Sequence, residues 1–221
     1  MKKYYAFVPC FALCLALAAP LAAEEPVDVS YSLGMLIGTS LKSSGLQISP
    51  DTFLQGLKDV LDGKATKYTN AQAQAAVQSS MQAAETKKSA ENLAAGKSFL
   101  ADNLKKPGIT TTASGLQYQV ITLGTGPKPQ ASDTVKVNYE GKLLDGTVFD
   151  SSIARHEPAT FPLTGVIRGW TEGVQLMPVG SKFRFFVPSD LAYGEKGAGS
   201  AIGPNSVLVF EIELLSIETA K

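Results

Sequence analysis

Few residues of this chain could act as a nucleophile or a metal ligand. His156 is the one histidine, and both cysteines, Cys10 and Cys14, lie within the first 23 residues. A serine-histidine-aspartate triad or a zinc site would have to use His156, which we expect to be a solvated loop residue. The segment Gly124-Thr125-Gly126 lacks the lysine and the serine or threonine of a phosphate-binding loop. The sequence therefore predicts no metal site and no covalent catalysis.

The residue types do allow the chemistry of an apolar pocket. Aromatic residues and one acid stand beside turn signals, at Phe149-Asp150 and at Tyr193-Gly194. Taken one at a time, such aromatic side chains would more often fill the core of a small barrel. Buried core residues are seldom placed in loops, however, so the combination favours a pocket that binds a ligand.

The elements that would position these residues are strands. Four segments after residue 115 alternate apolar and polar residues, as half-buried strands do. Asp145-Gly146 is a hairpin signal, and a short helix is predicted at Trp170 to Leu176. We predict an antiparallel sheet of four to six strands that curls over one helix. The four alternating segments are Leu116 to Leu123, Thr134 to Leu143, Lys182 to Val187 and Val207 to Ile217.

The residues before 115 are predicted to be helical. Residues 24–114 contain four aromatic residues and three prolines, whereas residues 115–221 contain ten and seven. One helix should begin at Val29, and Ser49 should cap a second. A capping box from Thr69 to Gln72 begins a third helix of about 35 residues, on the order of 50 Å long. The fold class is therefore α+β: an all-α N-terminal region and a long stalk helix, followed by the curved antiparallel sheet over one short helix.

The first two helices carry more apolar surface than they can cover alone. The apolar positions of the third helix are mostly alanine, which is typical of a solvated stalk. We predict that the short helices pair with those of a second copy, while the stalks hold the C-terminal domains apart. The alternative, in which the short helices fold back on their own stalk, stays open. The residues predicted at the homodimer interface are Leu33, Met35, Leu36, Ile37, Phe53 and Leu57.

The N-terminus resembles a removable signal peptide. Lys2 and Lys3 precede an apolar stretch of 13 residues, Phe7 to Ala19, short of the roughly 20 that span a bilayer. We predict cleavage after Ala23, or failing that after Ala22, and export. The domain limits that follow are 1–23 for the signal peptide, 24–68 for the dimerisation region, 69–114 for the long helix and linker, and 115–221 for the C-terminal domain.

Charge excludes one class of partner. The 20 basic and 20 acidic residues become 18 and 20 once Lys2 and Lys3 are removed, a net charge of −2. Nucleic-acid binding needs a concentrated positive face, so no nucleic-acid partner is predicted.

Five blocks of the C-terminal half resemble the FK506-binding family of peptidyl-prolyl cis-trans isomerases. They occur in the family's order and spacing and cover about residues 115–218. Residues 29–114 also resemble the dimerisation segment and stalk of that family's macrophage infectivity potentiator branch. The blocks are Val137-Asn138-Tyr139-Glu140-Gly141, Asp145-Gly146-Thr147-Val148-Phe149-Asp150-Ser151-Ser152, Val166-Ile167-Arg168-Gly169-Trp170-Thr171-Glu172-Gly173, Leu191-Ala192-Tyr193-Gly194 and Leu208-Val209-Phe210.

The resemblance implies roles for ten residues. Trp170 would be the floor under a substrate proline, and the Tyr193 hydroxyl and the Ile167 N–H would hold substrate carbonyls. Asp150 would hold the Tyr139 hydroxyl, with Arg155 as its compensating charge. These residues and the other predicted members of the pocket are Asp150, Tyr193, Ile167 and Trp170 as catalytic residues, and Tyr139, Phe149, Arg155, Val166, Ile202 and Phe210 as substrate-binding residues.

The resemblance also implies the biological setting. The enzyme would be a peptidyl-prolyl cis-trans isomerase, or rotamase, that needs no cofactor and acts on unfolded or exported polypeptides containing X-Pro bonds. As a homodimer it would also act as a chaperone, in the periplasm or at the outer membrane of a bacterium. A macrolide of the FK506 class is a candidate inhibitor. The alternative readings are a proline-peptide-binding module, or a dimeric chaperone scaffold, with negligible turnover.

Two departures from the family concern the rim of the pocket. The segment from Ala198 to Gly203 retains only Ile202 of the family's flap residues, and Ala159 stands where a phenylalanine is often found. Both changes make the rim smaller. They leave the macrolide affinity and the preference for the residue before proline open.

Overall fold

The computed structural model describes residues 27–218, which fall into two units divided between residues 40 and 41. The predicted signal peptide and its cleavage site lie outside the described residues. Helix α1, Val29–Ser43, begins where the sequence predicted. The Asp28 carboxylate accepts from the Ser30 N–H at 2.8 Å and so caps its first turn. The apolar side chains of α1 include Tyr31 and Leu36, which are 70% and 71% exposed.

The other two N-terminal helices also begin at the capping residues that the sequence predicted. Helix α2, Pro50–Leu61, follows Ser49, whose side chain accepts from the Thr52 N–H. Helix α3, Asn70–Asn103, is 34 residues long and begins with the predicted capping box between Thr69 and Gln72. None of the helices within residues 27–218 is long and apolar enough to cross a membrane.

The C-terminal part is one antiparallel sheet of seven strands. The expectation of four to six strands was wrong, because β1 and β5 have only three and four residues and are too short to show alternation. The strand order is β1-β2-β6-β7-β3-β4, and β5 pairs with β3. The strands are β1 Ile109–Thr111, β2 Gln117–Thr122, β3 Thr134–Lys142, β4 Val148–Ser151, β5 Ala159–Pro162, β6 Lys182–Val187 and β7 Leu208–Glu218.

One short helix, α4 (Arg168–Val174), packs on the sheet, as predicted. A Cβ atom on Gly173 would lie 2.6 Å from a ring carbon of Phe185, and one on Gly169 would lie 2.4 Å from Val187. Glycine at these two positions therefore brings the helix close to β6. The core under the helix is apolar and includes Phe185, which is 1% exposed.

The long helix α3 is exposed on every side only in its first half, and one face of its second half is covered. Residues 71–83 are exposed, as predicted for a stalk. Nearer its end, Phe99 packs against Phe186 with ring centroids 5.8 Å apart. Asn103 is buried and donates to the Gln117 side chain at 2.9 Å, so the end of α3 is part of the folded domain.

Candidate active site

A buried tryptophan lies at the centre of the candidate site. Trp170, in the first turn of α4, is 5% exposed. Three aromatic rings surround it in edge-to-face contacts, at interplanar angles of 84–88°. The centroid distances from Trp170 are 5.2 Å to Tyr139, 5.6 Å to Phe161 and 5.3 Å to Phe210. Such contacts fix ring orientation beyond what burial alone does, so the floor of the site is rigid.

Neighbouring strands supply the walls. Tyr139 on β3 pairs with Ile212 of β7, and Phe210 lies two residues away, so both rings project from the same sheet face. Phe149 of β4 completes the wall, with its ring 5.5 Å from Phe210 at 86°. A Cβ atom on Gly141, which pairs with Phe210, would lie 2.6 Å from the Phe149 ring. Glycine at this position therefore makes room for the wall.

We call the five rings of Tyr139, Phe149, Phe161, Trp170 and Phe210 the aromatic cup, and one carboxylate lies at its edge. Asp150 accepts short hydrogen bonds from the Tyr139 hydroxyl and from Arg155. Arg155 also donates to the Tyr139 hydroxyl oxygen at 3.0 Å, and its guanidinium lies 5.8 Å from the centre of the Tyr139 ring. The three polar groups thus satisfy one another in a closed triangle, as a charge beside an apolar pocket requires.

The triangle sets the protonation states. Burial raises the pKa of Asp150, but the hydrogen bonds from Tyr139 and Arg155 outweigh it, and the pKa of Asp150 lies below its ordinary value. Burial, followed by the hydrogen bond to Asp150, raises the pKa of Tyr139. The hydrogen bond to Asp150 likewise raises the pKa of Arg155. At neutral pH the site therefore holds a carboxylate, a guanidinium and a neutral phenol.

The rim carries two candidate donors. Val166 and Ile167 are half-buried against the core, just before α4. Ile202 is 7% exposed, and Tyr193 is 41% exposed. Within residues 27–218, neither the Tyr193 hydroxyl nor the Ile167 N–H donates a hydrogen bond to the protein.

The structure brings the predicted aromatic residues Tyr139, Phe149, Trp170 and Phe210 together with the Asp150 triangle. Val166, Ile167 and Ile202 pack in the same hydrophobic core, whereas no ring contact or hydrogen bond within residues 27–218 joins Tyr193 to these residues. The structure adds Phe161, which was not predicted because its strand β5 has only four residues and shows no recognisable alternation. His156 is exposed, as expected of a solvated loop residue. Among residues 27–218, no three histidine, cysteine, aspartate or glutamate side chains cluster as a metal site would.

This arrangement suits a reaction that makes and breaks no covalent bond. Its floor and walls are apolar, and its charges are paired at one edge. Such a surface suits contact with a compact apolar ring and with a bond from which water is excluded.

Comparisons with known proteins agree with this geometry. The family model described as FKBP-type peptidyl-prolyl cis-trans isomerase matches residues 126–215, and the model described as the domain amino terminal to FKBP-type peptidyl-prolyl isomerase matches residues 27–120. The FKBP-type peptidyl-prolyl cis-trans isomerase FkpA of Aeromonas hydrophila is 52% identical over 200 residues, which cover 86% of this chain and 74% of the relative. The outer membrane protein MIP of Legionella longbeachae is 44% identical over 230 residues, covering 100% and 99% of the two chains.

Solved structures that resemble this chain are also peptidyl-prolyl cis-trans isomerases. The crystal structure of FkpA from Escherichia coli is 41% identical, covers 87% of this chain and 94% of its own, and superposes with a TM-score of 0.72. A peptidyl-prolyl cis-trans isomerase from Pseudomonas syringae is 45% identical, covers 59% of this chain and 96% of its own, and has a TM-score of 0.56. The likeness thus includes both the sheet and the helical region before it. The chain belongs to the FKBP-type family and is a peptidyl-prolyl cis-trans isomerase.

Proposed function

We propose that the aromatic cup around Trp170 binds the proline of an X-Pro segment and accelerates rotation of its imide bond in exported protein substrates, and that the enzyme works as a homodimer that also assists folding. One observation carries the catalytic proposal: a buried indole enclosed by three perpendicular rings, beside a carboxylate whose charge is already paired.

The physical task explains the residue types. Rotation about X-Pro must cross a barrier of about 18–20 kcal/mol, which is the loss of C–N resonance. The planar amide is the more dipolar state, because resonance places partial charge on nitrogen and oxygen. A dry, apolar cup therefore disfavours the planar state more than the twisted one, which is the differential effect that catalysis requires. If the cup lowers the barrier by about 7 kcal/mol, the rate rises about 10⁵-fold.

The polar groups would orient the substrate. The Tyr193 hydroxyl and the Ile167 N–H would hold the carbonyls on either side of the rotating bond, as donors that need no rearrangement. Asp150 would keep the Tyr139 ring in place and bias the twisted carbonyl through its charge. If twisting changes a partial charge by about 0.15 at about 5 Å, an effective dielectric constant of about 20 gives about 0.5 kcal/mol, or about twofold in rate. Shape thus contributes more than this charge.

Variants at the floor and the acid test the assignment. Trp170→Leu should lower kcat/KM for a proline tetrapeptide about 10- to 100-fold, because the floor is lost and water enters. Asp150→Leu should lower it about tenfold, while Asp150→Asn, which can still accept from Tyr139, should lower it about twofold. Phe183→Leu is the matched control, since Phe183 is 2% exposed and stacks on Tyr118, outside the cup. Normal kcat/KM in both Trp170→Leu and Asp150→Leu would refute the site.

The exposed apolar faces of the short helices support the homodimer. Leu33, Met35 and Leu36 of α1 are 56%, 59% and 71% exposed, and Phe53 and Leu57 of α2 are 37% and 44% exposed. Apolar surface on this scale at helical spacing is typical of an interface. Ile37, the sixth predicted interface residue, is half-buried. A second copy of the chain is the occupant we propose.

Sedimentation of the mature protein at micromolar concentration tests the dimer, and a monomer would end that part of the proposal. A truncated chain without residues 24–68 keeps α3 and the sheet. It should retain tetrapeptide turnover, run as a monomer, and protect an aggregating client less well. Equal loss of turnover and protection would contradict the division of labour.

The proposed location is the bacterial periplasm or the outer membrane. The sequence of the N-terminus supports export, and one relative bears the name outer membrane protein MIP. A macrolide of the FK506 class is the proposed inhibitor, competing with the tetrapeptide for the same cup. Inhibition that tetrapeptide does not relieve would argue for another binding site.

A further inference from the structure

The loop that follows Tyr193 includes Ile202, one of the residues proposed above for the pocket rim. Residues 194–207, which we call the rim loop, run from Tyr193 to the start of β7 and include Ile202. Ala198 and Ile202 exchange backbone hydrogen bonds of 2.8 and 3.1 Å, and the Asn205 N–H donates to the Gly194 carbonyl at 2.8 Å. These bonds close the rim loop on itself and tie Asn205, near its far end, to Gly194, which directly follows Tyr193.

Helix α3 turns one stripe of side chains toward the folded domain. Ser89, Asn92, Gly96, Phe99 and Asn103 are spaced three and four residues apart and so lie along one face of the helix. Gly96 and Asn103 are buried, and the other three are half-buried. Phe99 and Asn103, at the C-terminal end of the stripe, pack on the sheet. Ser89, Asn92 and Gly96 face the rim loop.

Hydrogen bonds join Ser89 and Asn92 of the stripe to the rim loop. The Asn92 side-chain amide donates to the Pro204 carbonyl at 2.7 Å and lies 3.3 Å from the Ser206 hydroxyl. The Asn205 side-chain amide donates to the Ser89 hydroxyl at 2.8 Å. All of these contacts join residues more than 110 positions apart in the chain.

Asn205 is not glycine although its backbone conformation favours glycine. Its φ of 54° is in the left-handed region, where glycine is the residue with least strain. Asparagine tolerates this conformation and also supplies the amide that reaches Ser89. Glycine would satisfy the turn but not the contact with α3.

Gly96 makes the close approach sterically possible. A Cβ atom there would lie 2.7 Å from Val207 Cγ2, and Val207 is 4% exposed with a stiff branched side chain. Any larger residue at position 96 would therefore push the helix away from the end of the rim loop.

We propose that α3 is a positioning element of the active site. The contacts of Ser89, Asn92 and Gly96 with residues 204–207, which we call the latch, hold the rim loop and thereby fix where Tyr193 and Ile202 meet the substrate. The inference rests on the pocket proposed above, because those two rim residues must touch the peptide. It assigns the stalk helix a role in peptide binding that is independent of dimerisation.

The test uses the full mature chain and four variants. Asn92→Ala and Asn205→Gly remove the hydrogen bonds, and Gly96→Ala separates the two surfaces sterically. Ser80→Ala, on the exposed half of the same helix, is the control. Each is assayed with two proline tetrapeptides that differ only in the residue before proline, and by amide hydrogen exchange.

The three latch variants should raise KM about 3- to 10-fold, with kcat changed less than about twofold. A lost hydrogen bond has about this value for Asn92→Ala and Asn205→Gly, and overpacking against Val207 has a comparable cost for Gly96→Ala. The ratio of kcat/KM for the two peptides should change as well, which a loss of stability alone would not cause. Exchange of the Ile202 amide should quicken about tenfold, while that of the core Leu214 amide, bonded to Ser181 at 2.9 Å, should not change.

Unchanged KM and peptide ratio in all three variants would overturn the inference, as would equal acceleration of exchange at Ile202 and Leu214. Trp170→Leu separates this failure from failure of the pocket itself. If it lowers kcat/KM while the latch variants do not, the pocket stands and the latch is wrong; if neither has an effect, the pocket is wrong.

Discussion

Gly141→Ala tests the shape of the aromatic cup with a single added methyl group. The new Cβ atom would lie 2.6 and 2.7 Å from two ring carbons of Phe149 and 2.8 Å from Phe210 Cε1. Carbon atoms prefer separations of about 3.5–4.0 Å, so the rings must retreat by about 1 Å. Phe210 is held on its other side by Trp170 at 5.3 Å, whereas Phe149 is on the short edge strand β4. Phe149 should therefore move most and open the wall.

Two measurements follow from that movement. Overpacking of this size costs about 1–3 kcal/mol of stability, measured by denaturant unfolding. Displacing a substrate-contacting wall by about 1 Å should lower kcat/KM for a proline tetrapeptide about 10- to 100-fold. Gly165→Ala is the control, because its Cβ atom would meet only Pro162, at 3.4 Å.

A second substitution separates a steric effect from a backbone effect. Phe149→Leu removes the ring carbons that collide with the new methyl group. The double variant should therefore be about 1 kcal/mol more stable than the sum of the two single changes predicts. Strict additivity, or a Gly141→Ala enzyme with unchanged kcat/KM, would refute the reasoning that this glycine exists to make room for the wall.

Two further predictions concern protons and the end of α3. The pKa of Asp150 lies below its ordinary value, and the pKa of Tyr139 lies above its ordinary value. Neither group should titrate near neutrality, so kcat/KM should be constant from about pH 5 to 9. A bell-shaped profile would mean that proton transfer is involved. The stability that Asp150 contributes should be present above its unfolded pKa of about 3.9 and be lost as pH falls through the lower folded value, as acid unfolding of wild type and Asp150→Asn would reveal. Asn103→Ala leaves the Gln117 side-chain oxygen buried without its 2.9 Å donor, which should cost about 1–3 kcal/mol in denaturant unfolding, and a cost below about 0.5 kcal/mol would show that water replaces the amide.

Local rules predicted the helices and the longer strands. Ser49, Thr69 and Gln72 are residue types that favour helix N-termini, and their spacing matches a cap and a capping box, so the starts of α2 and α3 followed from sequence. The nine residues of β3 alternate in burial almost perfectly, which is why that strand could be recognised. Strands β1 and β5 could not be, since three or four residues do not establish a period.

The grouping of the candidate site residues could be predicted in part, for a related reason. Trp170, Asp150 and Tyr139 lie in segments whose residue types are distinctive, and the structure brings the three together, while their roles in catalysis stay a prediction. Phe161 lies in a short strand. Ala159 of the same strand was interpreted as the loss of an aromatic residue from the rim, and the ring that Phe161 supplies was not predicted. The latch depends on two segments far apart in the chain, and only the regular spacing of Ser89, Asn92 and Gly96 along α3 could have suggested it.

The enzyme's scarcity of reactive side chains is itself consistent with its chemistry. A reaction that only rotates a bond gains little from a nucleophile and much from a rigid, dry cavity of the right shape. The carboxylate of Asp150 would be costly there by itself, but Tyr139 and Arg155 pair it, so it can orient the wall without titrating near neutral pH. The variants should therefore rank by shape before charge: Gly141→Ala and Trp170→Leu should each lower kcat/KM about 10- to 100-fold, and Asp150→Asn only about twofold. If Asp150→Asn were instead the most damaging of the three, electrostatics rather than an apolar fit would dominate, and the account of catalysis given above would be wrong.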